Sequence, residues 1–345
     1  MTQSEKLDSL AYSLGRYRQV SPKLAHRAGT RAEAQEWARE ARPRLLELLG
    51  PWPETKVAPA PSFGGPVKRP DHVRRAVTFQ TRPDMSAFGY LLVPEGLKAP
   101  APAFVCIPGH GRGVDEIVGV DEQGRDRDDL DGYQHDFAVQ CVRKGYVTLA
   151  LEPLGFGHRR DPEARKKGAG ASSCQPAAGA ALLLGESMAA WRTWDAMRAV
   201  DLLADLPDVD PNRIGMMGIS GGGTITLYAA ALDERIRAVL LSGSFCTYRD
   251  SIYSVSHCID NYVPGILNWF EMADVAALIA PRYLFVESGT RDPIFPEAGV
   301  RAALKGVASA YAAWGVPGHL DHAFFEAGHQ FDGAAAFRKL GEWLT

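Results

Sequence analysis

Apolar and polar positions fall into three successive patterns along this chain. Residues 5–50 carry apolar side chains at a helical spacing of about 3.6 residues, most regularly over 32–49. Two stretches, 73–80 and 87–94, alternate between apolar and polar residues, which predicts an antiparallel hairpin. Beyond residue 100, short apolar runs alternate with helical stretches, and this repeat predicts a mostly parallel, doubly wound α/β sheet with right-handed crossovers.

The repeat beyond residue 100 gives a regular order of strands and helices with two interruptions. The predicted strands cover residues 103–107, 146–151, 214–217, 236–241, 283–287 and 322–326. The predicted helices cover about 131–144, 186–206, 222–233, 297–314 and 333–343. Two irregular stretches, 154–185 and 246–275, leave the carboxyl ends of predicted strands, where open α/β sheets bind their ligands. We therefore expect these stretches to form the walls of a pocket.

The turn after the strand at 214–217 carries the most specific chemical signal. It reads Gly-Ile-Ser-Gly-Gly over residues 218–222, the G-x-S-x-G pattern in which a serine occupies a sharp strand-to-helix turn. Glycines two positions either side of the serine avoid collision with the neighbouring strand and helix. The pattern predicts Ser220 as a nucleophile, with the amide of Gly221 and the helix N-terminus beside the reacting carbon.

A serine nucleophile at neutral pH needs an imidazole base and an acid that orients this base. Asp292 comes directly after the fifth predicted strand and is favoured as the acid over Glu287, which lies inside that strand. His329 follows the last predicted strand, with a glycine before it and a helix soon after, and is favoured as the base. His322 and His319 lie at the opposite end of the sheet.

Acyl transfer also needs two hydrogen-bond donors for the carbonyl oxygen that becomes negatively charged. The glycine-rich sequence Pro-Gly-His-Gly-Arg-Gly over residues 108–113 follows the first strand of the parallel repeat. The backbone of Arg112 is the predicted donor here, and Gly111 is the other candidate, beside the amide of Gly221. No phosphate-binding pattern follows this loop.

Five segments together resemble the α/β-hydrolase superfamily, namely His110–Gly113, Glu152–Arg160, Gly218–Gly223, Ala280–Asp292 and Gly328–His329. Within the superfamily, the chain is most similar to the acetyl xylan esterase-like and dienelactone hydrolase-related branch. The resemblance covers roughly residues 70–345. It implies an α/β-hydrolase catalytic domain over 71–345, after an N-terminal helical extension and a proline-rich linker over 1–70.

This resemblance implies hydrolysis of carboxylic esters by Ser220, Asp292 and His329 through an acyl-enzyme, with neither a cofactor nor a metal. Dienelactone hydrolases use a cysteine nucleophile, so the serine favours esterase or deacetylase chemistry, with acetylated carbohydrates among the candidate substrates. A serine peptidase related to prolyl oligopeptidases is an alternative, although the residues before the first strand are too few for a propeller domain. A non-catalytic binding protein is another alternative, but such a protein would be expected to lack one of the three residues Ser220, Asp292 and His329, and all three are present.

The side chains that line the substrate pocket are less evident in the sequence. The candidates are four aromatic residues in or beside the irregular stretches and one acid at a strand end: Phe156, Phe245, Tyr248, Trp269 and Glu152. Core packing is an equal alternative for the aromatic residues, and pairing with a neighbouring arginine for the acid. We expect a small acyl site closed by Phe245 and Trp269, which would favour acetyl and propionyl over octanoyl esters.

Composition and charge narrow the class of partner. The 345 residues are 46% apolar and 23% charged, and the formal charge of −3 gives no basic footprint for nucleic acid. With no apolar run long enough for a membrane span and no secretion signal, we expect a cytoplasmic protein that binds a small-molecule ester. Homo-oligomerisation is left open. The five cysteines lack metal-like spacing, and a reducing compartment disfavours a bridge between Cys246 and Cys258.

Overall fold

The structure is a computed structural model that describes residues 7–127, 129–130 and 132–344. Within these residues, ten strands form a single sheet. They are Ser62–Phe63 (β1), Val67–Lys68 (β2), His72–Arg82 (β3), Met85–Pro94 (β4), Ala101–Ile107 (β5), Val147–Leu151 (β6), Val209–Ile219 (β7), Ile236–Ser242 (β8), Tyr283–Gly289 (β9) and Leu320–Phe325 (β10). Every strand that the apolar pattern predicts is present, with shifted boundaries.

The order of strands in the sheet is β1-β3-β4-β6-β5-β7-β8-β9-β10, and β2 pairs with β3. The predicted hairpin is formed by β3 and β4, and β4 also pairs antiparallel with β6. All neighbouring pairs from β6 to β10 are parallel. The predicted α/β fold is therefore confirmed, and the carboxyl ends of the parallel strands lie along one edge of the sheet.

Helices cover both faces of this sheet. They are Ser9–Tyr17 (α1), Arg31–Leu49 (α2), Val114–Ile117 (α3), Phe137–Arg143 (α4), Pro162–Lys166 (α5), Cys174–Leu183 (α6), Met188–Ala204 (α7), Gly221–Leu232 (α8), Met272–Ala277 (α9), Glu297–Ala313 (α10) and Ala334–Leu344 (α11). Throughout the described ranges, each helix is too short or too polar to cross a membrane.

Burial on both faces explains the near-continuous apolar runs of the central strands. Alternate residues of a strand face opposite sides of the sheet. On β5, Val105 belongs to a cluster with side chains of α2, α7, α8 and α10, whereas its neighbour Phe104 belongs to a second cluster with α4 and α11. The chain therefore forms a helical layer on each side of the sheet, as parallel sheets require.

The N-terminal segment differs from the single helical stretch predicted for residues 5–50. Residues 18–30 lie outside any helix and separate α1 from α2. A capping box begins α2, in which Thr30 and Glu33 each bond the other's backbone amide. The buried face of α2 joins the core cluster of α7 and α8 through Ala38, Ala41, Leu45 and Leu49. The helix and the sheet therefore share one hydrophobic core.

The proline-rich linker predicted before residue 70 contains two short strands. Both β1 and β2 pair antiparallel with β3. Each has two residues, and all four are exposed. No apolar pattern marks such strands, so their contribution to the sheet edge is a correction to the linker interpretation.

The five cysteines are free thiols. Cys106 and Cys141 are buried, in agreement with their apolar surroundings in the sequence. Cys246 is buried and Cys258 is exposed, and no bridge joins them.

Candidate active site

Ser220 occupies a strained turn between β7 and α8. Its backbone has φ 55° and ψ −125°, a conformation that residues with a Cβ rarely adopt. A Cβ at Gly218 would lie 2.4 Å from backbone atoms of Gly222, and a Cβ at Gly222 would lie 2.0 Å from the carbonyl oxygen of Ile107. Close backbone approach therefore requires both glycines, and the turn has the geometry of the nucleophile elbow.

His329 and Asp292 meet beyond the carboxyl ends of β10 and β9. The Nδ1 atom of His329 lies 2.7 Å from Oδ2 of Asp292. The other carboxylate oxygen accepts hydrogen bonds from the amides of Ile294 at 2.8 Å and Phe295 at 3.0 Å, and the side chain is fully buried. Because the carboxylate engages Nδ1, the ring presents Nε2 as the nitrogen able to accept a proton.

Tyr133 lies against both the serine and the histidine. Its ring stacks on His329 with centroids 5.3 Å apart. A Cβ built at Gly109 would lie 2.2 Å from the Tyr133 hydroxyl oxygen and 2.9 Å from Cβ of Ser220. The tyrosine hydroxyl and the serine side chain are therefore close neighbours. Burial raises the pKa of Tyr133, and a hydrogen bond with Ser220 opposes this shift. The hydroxyl also donates to the carbonyl oxygen of His110 at 2.8 Å.

Glu287, the rival acid, has a different set of partners. Its carboxylate accepts hydrogen bonds from the hydroxyl of Ser242 at 2.7 Å and from the amides of Asp332 at 3.1 Å and Gly333 at 3.0 Å. Burial raises the pKa of Glu287 to about 7, against the effect of these hydrogen bonds. The carboxylate thus ties the end of β8 to the loop before α11.

The raised pKa of Glu287 predicts stability that falls with increasing pH. From its ordinary value of 4.5 up to about 7, the folded state keeps a proton that the unfolded state has lost, so the free energy of unfolding decreases through this window. From pH 7.5 to pH 5, we expect the wild type to gain on the order of 2 kcal/mol over Glu287→Gln. Urea unfolding of both proteins at the two pH values measures this gain. If the difference in the free energy of unfolding between them were the same at pH 7.5 and pH 5, the raised pKa of Glu287 would be contradicted.

The structure changes the predicted set of donors for the carbonyl oxygen. The amide of Arg112 donates to Oε2 of Glu116 at 3.1 Å. This amide is engaged within the protein, which corrects its predicted role. Gly221 is the first residue of α8, where backbone amides have no partner within the helix, and Gly111 stays a candidate. The ring of His110 faces the elbow, with Nδ1 3.3 Å from the Cβ position at Gly221.

The aromatic pocket candidates lie mainly in the core. Phe156 and Phe245 are fully buried. Tyr248 is buried too, and its hydroxyl bonds another buried tyrosine. Trp269 packs against α2, with the guanidinium of Arg44 3.6 Å from a ring centroid. The predicted closure of the acyl site by Phe245 and Trp269 is therefore corrected, since one ring fills the core and the other is covered by the N-terminal segment.

Glu152 joins two loops and is enclosed by protein. Its carboxylate is fully buried and accepts hydrogen bonds from the amides of Val114 and His158, both at 3.2 Å. Burial raises its pKa to about 7. A Cβ at Gly113 or at Gly157 would lie 2.1 Å from a carboxylate oxygen. The predicted contact with a substrate hydroxyl is corrected, because backbone atoms surround the group.

A second polar cluster lies beside the elbow. The Nε2 atom of His110 is 3.2 Å from Oδ2 of Asp260 and 3.7 Å from Sγ of Cys174. Among the residues that the structure describes, these three are the group whose ligand atoms are close enough to hold a metal ion. The buried guanidinium of Arg192 hydrogen-bonds both Asp260 and Cys174. Asp260 and Cys174 of this cluster thus already pair with a cation of the protein itself.

The sheet topology and the serine elbow define the class of protein as an α/β hydrolase. An Abhydrolase family model matches residues 14–332, and the chain belongs to this family. The superfamily inferred from the sequence motifs is therefore confirmed.

Similar proteins cover nearly the whole chain. "Putative hydrolase YtaP" of Bacillus subtilis (strain 168) is 27% identical over 322 residues, which are 88% of this chain and 99% of that protein. The crystal structure of "a putative acetyl xylan esterase" from Bacteroides fragilis NCTC 9343 has a TM-score of 0.78 at 21% identity, covering 92% of this chain and 82% of that chain. A glucuronoyl esterase from Solibacter usitatus has a TM-score of 0.66 at 16% identity, with coverage of 95% and 100%. These structures share the fold.

Proposed function

We propose that this protein is a serine hydrolase that cleaves carboxylic esters of small acyl groups, with acylated carbohydrates as the substrate class. The observation that carries the proposal is the 2.7 Å contact between His329 and Asp292, at a ring that also lies against the tyrosine beside Ser220. The names of similar structures, which include an acetyl xylan esterase and a glucuronoyl esterase, support carbohydrate esters.

Acylation begins with the ester carbonyl beside Gly221. As the oxygen of Ser220 bonds to the carbonyl carbon, its proton moves to Nε2 of His329 and the carbonyl π electrons move to the oxygen. Asp292 stabilises the resulting imidazolium through Nδ1. The amide of Gly221 and the positive end of α8 stabilise the negative oxygen.

Deacylation repeats these steps with water. The alcohol leaves with the proton that His329 took from the serine, and the acyl group stays bound to the oxygen of Ser220. Water then gives a proton to His329 as it attacks the acyl carbon, and the same proton returns to the serine oxygen. The sum is ester plus water giving acid plus alcohol.

Aromatic rings around the histidine support a small acyl group. Tyr133 and Phe295 stack on His329 with centroid distances of 5.3 and 5.8 Å. Interiors packed at protein density accommodate added methylenes only by displacing side chains. The rings at the histidine thus take the place of the closing residues predicted from the sequence.

An apolar cavity of about 600 Å³ lies next to these rings. Its walls are formed by Leu182 and by twelve residues between Tyr248 and Leu267. Asn261 borders both the cavity and the elbow, since its Oδ1 lies 3.6 Å from the Cβ position at Gly221. His257, another wall residue, packs edge-on against Phe295 at 5.8 Å. The dependence of kcat/KM on acyl length therefore tests whether the acyl group of the substrate stays at the rings or reaches this cavity.

We expect kcat/KM for p-nitrophenyl acetate and propionate to exceed that for octanoate by about tenfold or more, because each excess methylene costs about 1 to 3 kcal/mol. A hydrolysis series from acetyl to octanoyl, with acetylated xylose alongside, measures this preference. An octanoyl preference would show that the chain enters the cavity and would overturn the small-acyl proposal. Peptide cleavage without ester hydrolysis would instead indicate the serine peptidase.

A further inference from the structure

The ring of His110 is held beside Gly221, the first residue of α8. Its Nε2 atom contacts Oδ2 of Asp260 at 3.2 Å. Phe156 packs edge-on against it, with centroids 4.6 Å apart and an interplanar angle of 61°. On the opposite edge of the ring, Nδ1 and Cε1 each lie 3.3 Å from the point that a Cβ at Gly221 would occupy. The hydrogen bond from Tyr133 to the His110 carbonyl oxygen also holds the backbone.

The two charged groups behind this ring, Asp260 and Arg192, balance each other. Asp260 is 1% exposed, and its Oδ2 contacts both His110 and the buried guanidinium of Arg192. Because Arg192 balances the one carboxylate, a proton on His110 adds a second positive charge that no other acid in the cluster offsets. An imidazolium held by a buried carboxylate is a stable form of histidine when its hydrogen bonds are satisfied.

The titratable neighbours favour this charged form. Burial alone would lower the pKa of His110, but hydrogen bonds with Asp260, Cys174 and Cys258 outweigh it and raise the pKa to about 11. Burial lowers the pKa of His257, which also interacts electrostatically with His110, to about 4, so this second histidine is neutral at pH 7. His110 thus carries the net charge of the cluster.

Two positive features converge on the elbow. The N-terminus of α8 presents unpaired backbone amides and the positive end of the helix dipole. His110 lies against the first residue of the same helix. Two positive groups so close together are most stable when an anion lies between them. In the proposed reaction, the anion at this place is the carbonyl oxygen of the tetrahedral intermediate.

We propose that His110 is a catalytic residue of this hydrolase, whose Nδ1–H donates to the carbonyl oxygen as this oxygen becomes negative. Asp260 is the positioning residue that holds the ring in its charged form, and Arg192 fixes the position of the Asp260 carboxylate. A neutral ring bonded to Asp260 through Nε2–H would present a lone pair at Nδ1 and repel the same oxygen. The inference rests on the proposed ester hydrolysis and supplies a donor in place of the engaged amide of Arg112.

The first test compares His110→Gln with His158→Gln. His158 is a matched control, because it pairs with Asp115 of α3 at 3.1 Å and contacts no residue of the triad in the described structure. We expect His110→Gln to lower kcat about 10²-fold with KM within about threefold, as loss of one oxyanion donor does. His158→Gln should keep wild-type kcat.

A trifluoromethyl ketone inhibitor separates an electrostatic role from a structural one. Its carbonyl carbon bonds to the Ser220 oxygen, the serine proton moves to His329, and the carbonyl oxygen becomes an anion. We expect His110→Gln to weaken its inhibition constant by about the same factor as kcat. A ring that only supports the fold would alter thermal unfolding and leave the ratio of this constant to KM unchanged.

The pH profile of Asp260→Asn gives a second readout. Loss of the carboxylate lowers the affinity of His110 for its proton, so we expect kcat to fall between pH 7 and 9 in this variant, where wild-type kcat is level. If Asp260→Asn does not fold by circular dichroism, the comparison of His110→Gln with the inhibitor decides alone.

The two proposals fail in different ways. Absence of ester hydrolysis in the wild type would overturn the proposed function itself. Wild-type hydrolysis that depends on Ser220, together with His110→Gln keeping kcat and ketone inhibition within threefold, would overturn only the role of His110.

Discussion

Ser220→Ala is expected to lower kcat for ester hydrolysis by about 10³-fold or more, because the variant lacks the hydroxyl on which the proposed acyl-enzyme forms. The fold should persist, since alanine accommodates the same strained backbone with a smaller side chain. Initial rates with p-nitrophenyl acetate, with circular dichroism of the same samples, measure both effects.

Ser244→Ala is the matched control for this substitution. Ser244 is buried close to the elbow, and its hydroxyl has no hydrogen-bond partner in the described structure. The Ser244→Ala protein should keep wild-type activity. A fluorophosphonate should label the Ser244→Ala protein and should fail to label the Ser220→Ala protein. A folded Ser220→Ala protein that keeps more than a tenth of wild-type kcat would remove the serine from the mechanism.

Replacing His329 with glutamine should be nearly as damaging, with a loss of about 10³-fold or more in kcat, because an amide cannot take up the serine proton. His322→Gln is the control, since His322 is exposed on β10, in the strand that precedes His329. Its kcat should match the wild type. If His329→Gln kept the same kcat as His322→Gln and the wild type, the base would be another residue.

The elements that sequence analysis predicted well are those determined by local sequence. The strands around β5 and β7 are buried on both faces, so each gives an uninterrupted apolar run. The elbow is equally local, because Gly218 and Gly222 meet backbone atoms at distances that exclude a Cβ. Asp292 and His329 follow from strand ends, which the topology brings to one edge.

The residues that sequence analysis misplaced depend on contacts between distant segments. Tyr133 was included in a helix predicted from residue 131, but α4 begins at Phe137 and the preceding loop brings the ring to His329. The amide of Arg112 is taken by Glu116, which depends on how the loop folds back on α3. Trp269 faces Arg44, more than two hundred residues earlier in the chain. No motif or periodicity encodes such contacts.

The N-terminal segment also affects how the chain folds during its synthesis. The hydroxyl of Tyr17 bonds Glu271 and the amide of His26 bonds Asp274, across separations of 254 and 248 residues. A ribosome delivers the N-terminal residues first, so the apolar face of α2 stays uncovered until most of the chain has emerged. Contacts of such long range slow folding and leave apolar surface exposed to aggregation. The nascent chain thus passes through an interval in which α2 is complete and the surface that receives it has not yet been synthesised.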